Sequence, residues 1–281
     1  MQQWGCTTNS PWQQFTLADV GSGRCRIRNV DSGLCVSDKD ASTASGNPVI
    51  QETCTANSNK QWAFRSVGDR TWPAAADGFA STGGGTTGGA GGTTVTVSTY
   101  ADLVKYATAS AAYVIRVSGA VTVTPYGHEI PVTSDKTIVG VGTSGQIVNG
   151  GFFLGSGVRN VIIRTLTIRD TRMADDDPDD KVYDYDGIQM DTADHVWIDH
   201  NTIVRMNDGL IDSRKDTSYL TVSWNRLGEV NKAFGIGWTD NVTARMTIHH
   251  NWIHDTNQRN PSIDDVALAH LYNNYLENVA S

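Results

Sequence analysis

The sequence predicts an all-β chain: a parallel β-helix over most of its length, preceded by a short segment of strands and turns. Three observations lead there. Thr, Ser, Val and Ile dominate a sequence with 28 Gly and 7 Pro, a composition that favours strands and turns over helices. The segments HVWIDHNTI (195–203), YLTVSWNRL (219–227), RMTIHHNWI (245–253) and LAHLYNNYL (268–276) superpose by alternation, with an Asn at the same place in each. These residues, Asn201, Asn225, Asn251 and Asn274, are 24, 26 and 23 positions apart, and such a period built on strands means a solenoid of parallel coils. Finally, CTTNSPWQQF (6–15) matches CTANSNKQW (54–62), with Cys54 lying 48 residues after Cys6, so the first 65 residues repeat within themselves.

At 281 residues the chain is long enough for one large domain, or for a small one joined to a large one. A net charge of −8, from 22 basic and 30 acidic residues, invites neither nucleic acid nor an anionic membrane surface. No apolar run approaches the ~18–20 residues of a membrane span. The N-terminus, MQQWGCTTNS, has neither the basic nor the apolar region of a signal peptide. A monomer is expected.

Taking the elements in order, all four cysteines, Cys6, Cys25, Cys35 and Cys54, fall at the start of the chain. The gaps 6→25 and 35→54 are both 19, with no CxxC and no His at zinc spacing, so disulfides in an oxidising compartment are expected. The pairing stays open, and buried thiols are the alternative. The stretches NVDSGLCVS (29–37) and VIQETC (49–54), followed by Gln61-Trp62, resemble a ricin-B-type β-trefoil carbohydrate-binding module. About one and a half of the family's three repeats are present. Ser37 and Glu52 stand where that family usually offers an Asp and an aromatic, so the resemblance implies a partial trefoil over residues 1–65 without implying sugar binding.

A linker is expected at 66–76, around RSVGDRTWPAA. By composition alone STGGGTTGGAGGTT (81–94) is also a flexible linker. With its flanks, however, DGFASTGGGTTGGAGGTTVTVSTYADL (77–103) resembles the start of the catalytic domain of the pectate lyases of polysaccharide lyase family 1, which implies that the glycine run leads into the first strand. TYADLVKYATAS (99–110) has apolar residues at helical spacing after a Ser/Thr start and reads as one short helix. AYVIRVSGAVTV (112–123) and KTIVGVG (136–142) would form the first coils. NVIIRTLTI (160–168) follows with Leu166 at the Asn position, and then an insertion of about a dozen residues. A β-sandwich is the rival architecture, but it does not predict a fixed phase for Asn, whereas stacked coils let the Asn side chains form an internal hydrogen-bonded ladder.

Polar residues can be indexed to the same phase. Asp186, Asp208, Lys232 and Arg259 occur once per coil, at intervals of 22, 24 and 27. With coils stacked at ~4.8 Å, Arg259 should lie about 10 Å up the stack from Asp208, with Lys232 between. Asp184 and Asp186 share a face of an extended strand. Asp208 and Asp212 would be ~13 Å apart if extended, so a bend at Gly209 is needed to bring them to one ion. Carboxylates without Cys or paired His favour Ca²⁺ over zinc. His249 and His250 are expected on opposite faces, in packing or hydrogen-bonding roles, and not as a metal-binding pair. ADDDPDDK (174–181) reads as a solvated acidic loop, with a secondary calcium role open. For Arg259 the alternative is a salt bridge to Asp264 or Asp265.

VWIDH (196–200), DGLID (208–212), TVSWN (221–225), Lys232, TIHHN (247–251), QRNP (258–261) and YNN (272–274) fall in the order and spacing of the same pectate lyase family, and the resemblance covers residues 77–281. It implies a right-handed parallel β-helix that binds Ca²⁺ and cleaves α-1,4-polygalacturonate (pectin's acidic backbone) by β-elimination. Asp184, Asp186, Asp208 and Asp212 match the family's calcium ligands, Lys232 its substrate-carboxylate lysine and Arg259 its catalytic arginine. It also implies secretion to the extracellular space. Asp264 stands where the family's RxPxxR motif ends in arginine. The chain ends at NNYLENVAS, where the family adds further coils, so a C-terminally truncated β-helix is expected.

The mechanism implied has Arg259 take a weakly acidic proton beside a carboxylate held by Lys232 and Ca²⁺. An ordinary arginine pKa of ~12.5–13.8 makes a neutral guanidine cost about 5.5 kcal/mol near pH 9, which predicts an alkaline optimum. The alternatives are a calcium-free, pectin-lyase-like enzyme on methylated substrate, a hydrolytic polygalacturonase with clustered carboxylates, and a non-catalytic polysaccharide-binding β-helix.

Overall fold

The computed structural model describes residues 9–42, 47–63, 75–174 and 183–280. Cys6, most of the expected linker and the acidic run at 175–181 lie outside these. The chain divides into two units, Met1–Trp72 and Pro73–Ser281.

In the first unit, strands Phe15–Gly21, Arg24–Asn29, Cys35–Asp38 and Val49–Glu52 form an antiparallel sheet in sequence order. Cys35 is bonded to Cys54, while Cys25 is a free, half-buried thiol. Trp62 closes the unit by bridging to Cys25 and donating its indole N–H to Val36 O at 2.9 Å. Glu52 accepts from Ser37 Oγ at 2.9 Å and pairs with Lys60 at 2.8 Å, so both residues at the family's sugar positions are engaged within the sheet.

The second unit is the expected parallel β-helix. One face is an eight-stranded parallel sheet running from Thr93–Val97 through Tyr113–Val117, Lys136–Gly140, Arg159–Arg164, Asp194–Asp199, Ser218–Ser223 and Ala244–His249 to Val266–Tyr272. Its inward residues stack in register: Ile115 on Ile138, then Ile163, Ile198, Val222 and Ile248. All six are fully buried. The other two faces merge at one long strand, Arg226–Gly237, which pairs with both Thr202–Val204 and Gly209–Arg214. Helix Tyr100–Ala107 is capped by Thr99, whose side chain accepts from Asp102 N–H, and buries Leu103 and Ala107 in the core.

The turns out of the last four strands of the first sheet, from Asp194–Asp199 to Val266–Tyr272, carry the asparagine ladder. Asn201 N–H and Nδ2 both donate to Asn225 Oδ1, at 2.9 and 3.0 Å. Asn225 does the same to Asn251, and Asn251 to Asn274. Leu166 N–H completes the series by donating to Asn201 Oδ1. The residue before each rung, Thr165, His200, Trp224, His250 and Asn273, has φ between 53° and 57°. That left-handed step costs a non-glycine residue energy, and it turns the corner that buries the next side chain.

The glycine run is no flexible linker. A Cβ at Gly89 would meet Tyr113 O at 1.9 Å, and Asn160 Oδ1 accepts from both Thr87 and Gly88 N–H at 2.7 Å. The run can approach the first sheet this closely because Gly88, Gly89 and Gly92 have no side chains to hold it off. His249 and His250 are not on opposite faces. Their Nδ1 atoms are 2.8 Å apart, because His250 takes the left-handed turn. His249 also meets Asp77 at 3.0 Å and His250 stacks on Trp224.

Candidate active site

The long strand's neighbours gather the expected residues. Asp184 and Asp186 lie on the approach to Ile188–Asp191, Asp208 immediately precedes Gly209–Arg214, and Asp212 is within that strand. Asp184, Asp186 and Asp208 each bring a carboxylate oxygen to within 4.8 Å of the others. Asp212 is outside that triad but borders it. A Cβ on Gly209 would lie 2.7 Å from Asp212 Oδ1 and 2.8 Å from Asp186 Oδ1. Gly209 therefore acts by leaving room between two carboxylates, not by supplying the bend expected of it; its backbone is not among those with positive φ.

The once-per-coil phase is corrected by one residue. Lys232 is opposite Gly209 on one side and Gln258 on the other, not opposite Asp208 and Arg259. Those two sit at strand ends, where the chain turns and strict stacking lapses. The side chains nevertheless converge: Lys232 forms an ion pair with Asp208, and Arg259 Nη1 is 3.4 Å from Asp212 Oδ2. The expected alternative, a pair between Arg259 and Asp264 or Asp265, is replaced by this one.

Several groups escaped the sequence reading. Glu129 accepts from Asp186 N–H at 3.0 Å, from a coil that carries no acidic motif. Gln189 donates to Asp186 Oδ2 at 2.9 Å and to Asp184 Oδ2 at 3.4 Å. Arg214 bonds Asp191 at 2.7 Å and approaches Asp184 at 3.7 Å. Trp238 lies beside Arg259.

So many acids in one place resist ionising together. Burial pushes Asp212 up to about 7, with Arg259 opposing and Asp208 adding to the shift. Burial likewise raises Glu129 to about 8, against the N–H of Asp186. Asp186, fully buried, is pushed well above the carboxylate range by burial and then by Asp212. Asp184 is raised by burial and by Asp208. Asp212 Oδ1 is buried and without a hydrogen-bond partner, an expensive state for a carboxylate oxygen. An oxygen-only donor set with an orphaned buried oxygen fits a hard divalent cation such as Ca²⁺.

Fold and site together define a β-solenoid protein with a cluster of carboxylates beside a lysine and an arginine. The pectate lyase family model matches residues 66–281, and the chain belongs to that family. A ricin-type β-trefoil lectin domain-like model matches residues 11–97, overlapping the first match. A pectate trisaccharide-lyase of Thermotoga sp. (strain RQ2) is 40% identical over 198 residues, covering 68% of this chain and 53% of that protein. Its counterpart in Bacillus licheniformis is 34% identical over 217 residues, covering 72% and 61%. The chain thus spans about half the length of the first relative and under two thirds of the second. The crystal structure of a pectate lyase from Bacillus sp. N165 in complex with trigalacturonate is 30% identical, with a TM-score of 0.61 over 73% of this chain and 69% of that one.

Proposed function

We propose that this chain is a calcium-dependent pectate lyase that cleaves α-1,4-polygalacturonate by β-elimination. One observation carries the reading: three carboxylates converge within 4.8 Å beside Lys232 and Arg259, in a chain of the pectate lyase family. Asp184, Asp186, Asp208 and Asp212 would hold Ca²⁺, which when bound would supply Lewis acidity to a substrate carboxylate and make the adjacent C5–H easier to remove.

Lys232, buried against Asp208, orients that carboxylate and neutralises part of its developing charge. Arg259 takes the C5 proton; the C–H electron pair becomes the C4=C5 double bond, and the C4–O bond breaks to release the leaving chain, which is protonated by water. Asp212 holds the Arg259 side chain from behind. The Cys35–Cys54 disulfide supports secretion, because such bonds persist in oxidising compartments. Residues 1–65 are read as a partial carbohydrate-binding module, joined through 66–76 to the catalytic unit at 77–281.

The test is incubation with polygalacturonate, monitoring the ultraviolet absorbance of the unsaturated uronide. Absorbance should rise with Ca²⁺, stop with chelator, and fall about 10³-fold or more in Arg259→Ala. Cleavage that persists in chelator and prefers methylated pectin would replace this reading with a calcium-free one.

A further inference from the structure

Arg259 is held from two sides. Asp212 faces it as an ion pair, and its guanidinium carbon lies 5.0 Å from the centre of the Trp238 indole. Trp238 follows the end of Arg226–Gly237 with φ of 58°, which folds the ring back over its own strand. A Cβ on Gly235 would come within 2.4 Å of the indole Cη2 and 2.9 Å of Asp212 Oδ1. Gly235 is thus the floor on which the indole rests, and the same missing side chain leaves space for the carboxylate.

Trp238 is 48% exposed, an uneconomical place for a large apolar residue unless its surface is used. The charges around it are distinctive. Asp264 packs over the preceding residue, its Cβ 3.0 Å from where a Gly237 Cβ would be. Lys215 bonds Asp191, and Arg214 is shared between Asp191 and Asp184, on the acid-cluster side of the site. Beside Arg259 the surface therefore presents an aromatic ring and an acid.

We propose that Trp238 contacts substrate: it fixes the plane of the Arg259 guanidinium and offers its open surface to a sugar ring neighbouring the one whose carboxylate Lys232 orients. A pyranose presents an apolar C–H face that packs on an indole through dispersion and apolar burial. A galacturonate held in this way is gripped by its ring and not by its carboxylate. That carboxylate is free to carry a methyl ester, and Asp264 disfavours its ionised form. The proposal rests on the lyase reading above and specifies the substrate further as partially methyl-esterified polygalacturonate.

The experiment compares the parent chain with Trp238→Ala and Trp238→Phe in calcium chloride, measuring turnover on polygalacturonate and on partially esterified pectin, and calorimetric binding of trigalacturonate. Trp238→Ala should lower kcat and weaken trigalacturonate binding by about tenfold each, with a larger loss on pectin than on polygalacturonate. Trp238→Phe should restore both to within about threefold, since a ring is what the role needs. Trp238→Leu, apolar but without a ring, replaces the alanine variant if that variant does not fold. Binding and kcat unchanged within about twofold on loss of the ring, or a phenylalanine variant as impaired as the alanine one, would overturn the proposal. A parent chain that forms no unsaturated product rejects the lyase reading instead, and trigalacturonate binding alone then decides the role of Trp238.

Discussion

The two units hold together by different means. In the N-terminal unit, Cys35 and Val36 are the buried apolar residues among those described, while Trp12, Phe15 and Leu17 are 50, 45 and 61% exposed. A sheet with so little interior depends on a covalent tie, as small extracellular modules do. The solenoid buries a continuous column of aliphatic residues, and each coil adds a layer to it. Its asparagine ladder satisfies the buried corners one coil at a time. The difference is one of concentration: among the described residues the Cys35–Cys54 bond ties the first unit, whereas the second spreads its stability over repeated rungs.

The largest effect that would break this contrast is expected at the ladder's centre. Asn225→Ala leaves Asn201 N–H and Nδ2 and the carbonyl of Ile198 without their partner. That should cost about 3–5 kcal/mol and lower the solenoid's calorimetric transition by roughly 10 °C, leaving the N-terminal transition in place. A loss under about 1 kcal/mol would mean the aliphatic column alone sets the coils.

Next comes the disulfide. Replacing Cys35 and Cys54 by Ser should cost the first unit about 3 kcal/mol while turnover on polygalacturonate is retained. A matching fall in the solenoid's melting temperature would contradict the separation drawn here.

The smallest effect concerns pH and touches only the solenoid. Asp212 and Glu129 bind protons more tightly folded than unfolded. Their contribution is therefore complete below about pH 4 and is lost as pH rises through about 7 to 8. In chelator, the solenoid's melting temperature should fall by a few degrees between about pH 5 and about pH 9. Ca²⁺ should abolish that slope, because it binds the ionised acids of the folded state. A flat profile in chelator would show that the acids are paired by protein groups alone.

How much was legible follows from the same contrast. The ladder was readable because a repeated Asn at a fixed phase is a residue-level signal. The left-handed residue before each rung was not, since Thr165, His200, Trp224, His250 and Asn273 share no chemistry. Asp184, Asp186, Asp208, Lys232 and Arg259 could be named from motif order, yet their register came out one residue off. Intervals of 22, 24 and 27 hide unequal turns, and a turn decides where a strand-end side chain points. Glu129 was invisible because its contact with Asp186 spans 57 residues. The equal cysteine gaps left the pairing in the first unit open, and only the geometry of Cys35 and Cys54 resolves it.

The left-handed corner before each rung also separates two kinds of inheritance. Because phase is reset at every asparagine, the stretch between rungs can lengthen or shorten without disturbing the coil above or below, as the unequal spacing of 24, 26 and 23 records. Leu166 and Asn201 are joined rung to rung although the segment bearing Asp184 and Asp186 is inserted between them. New chemistry can therefore be installed by insertion at one level of the stack while the rest of the molecule stays as it was.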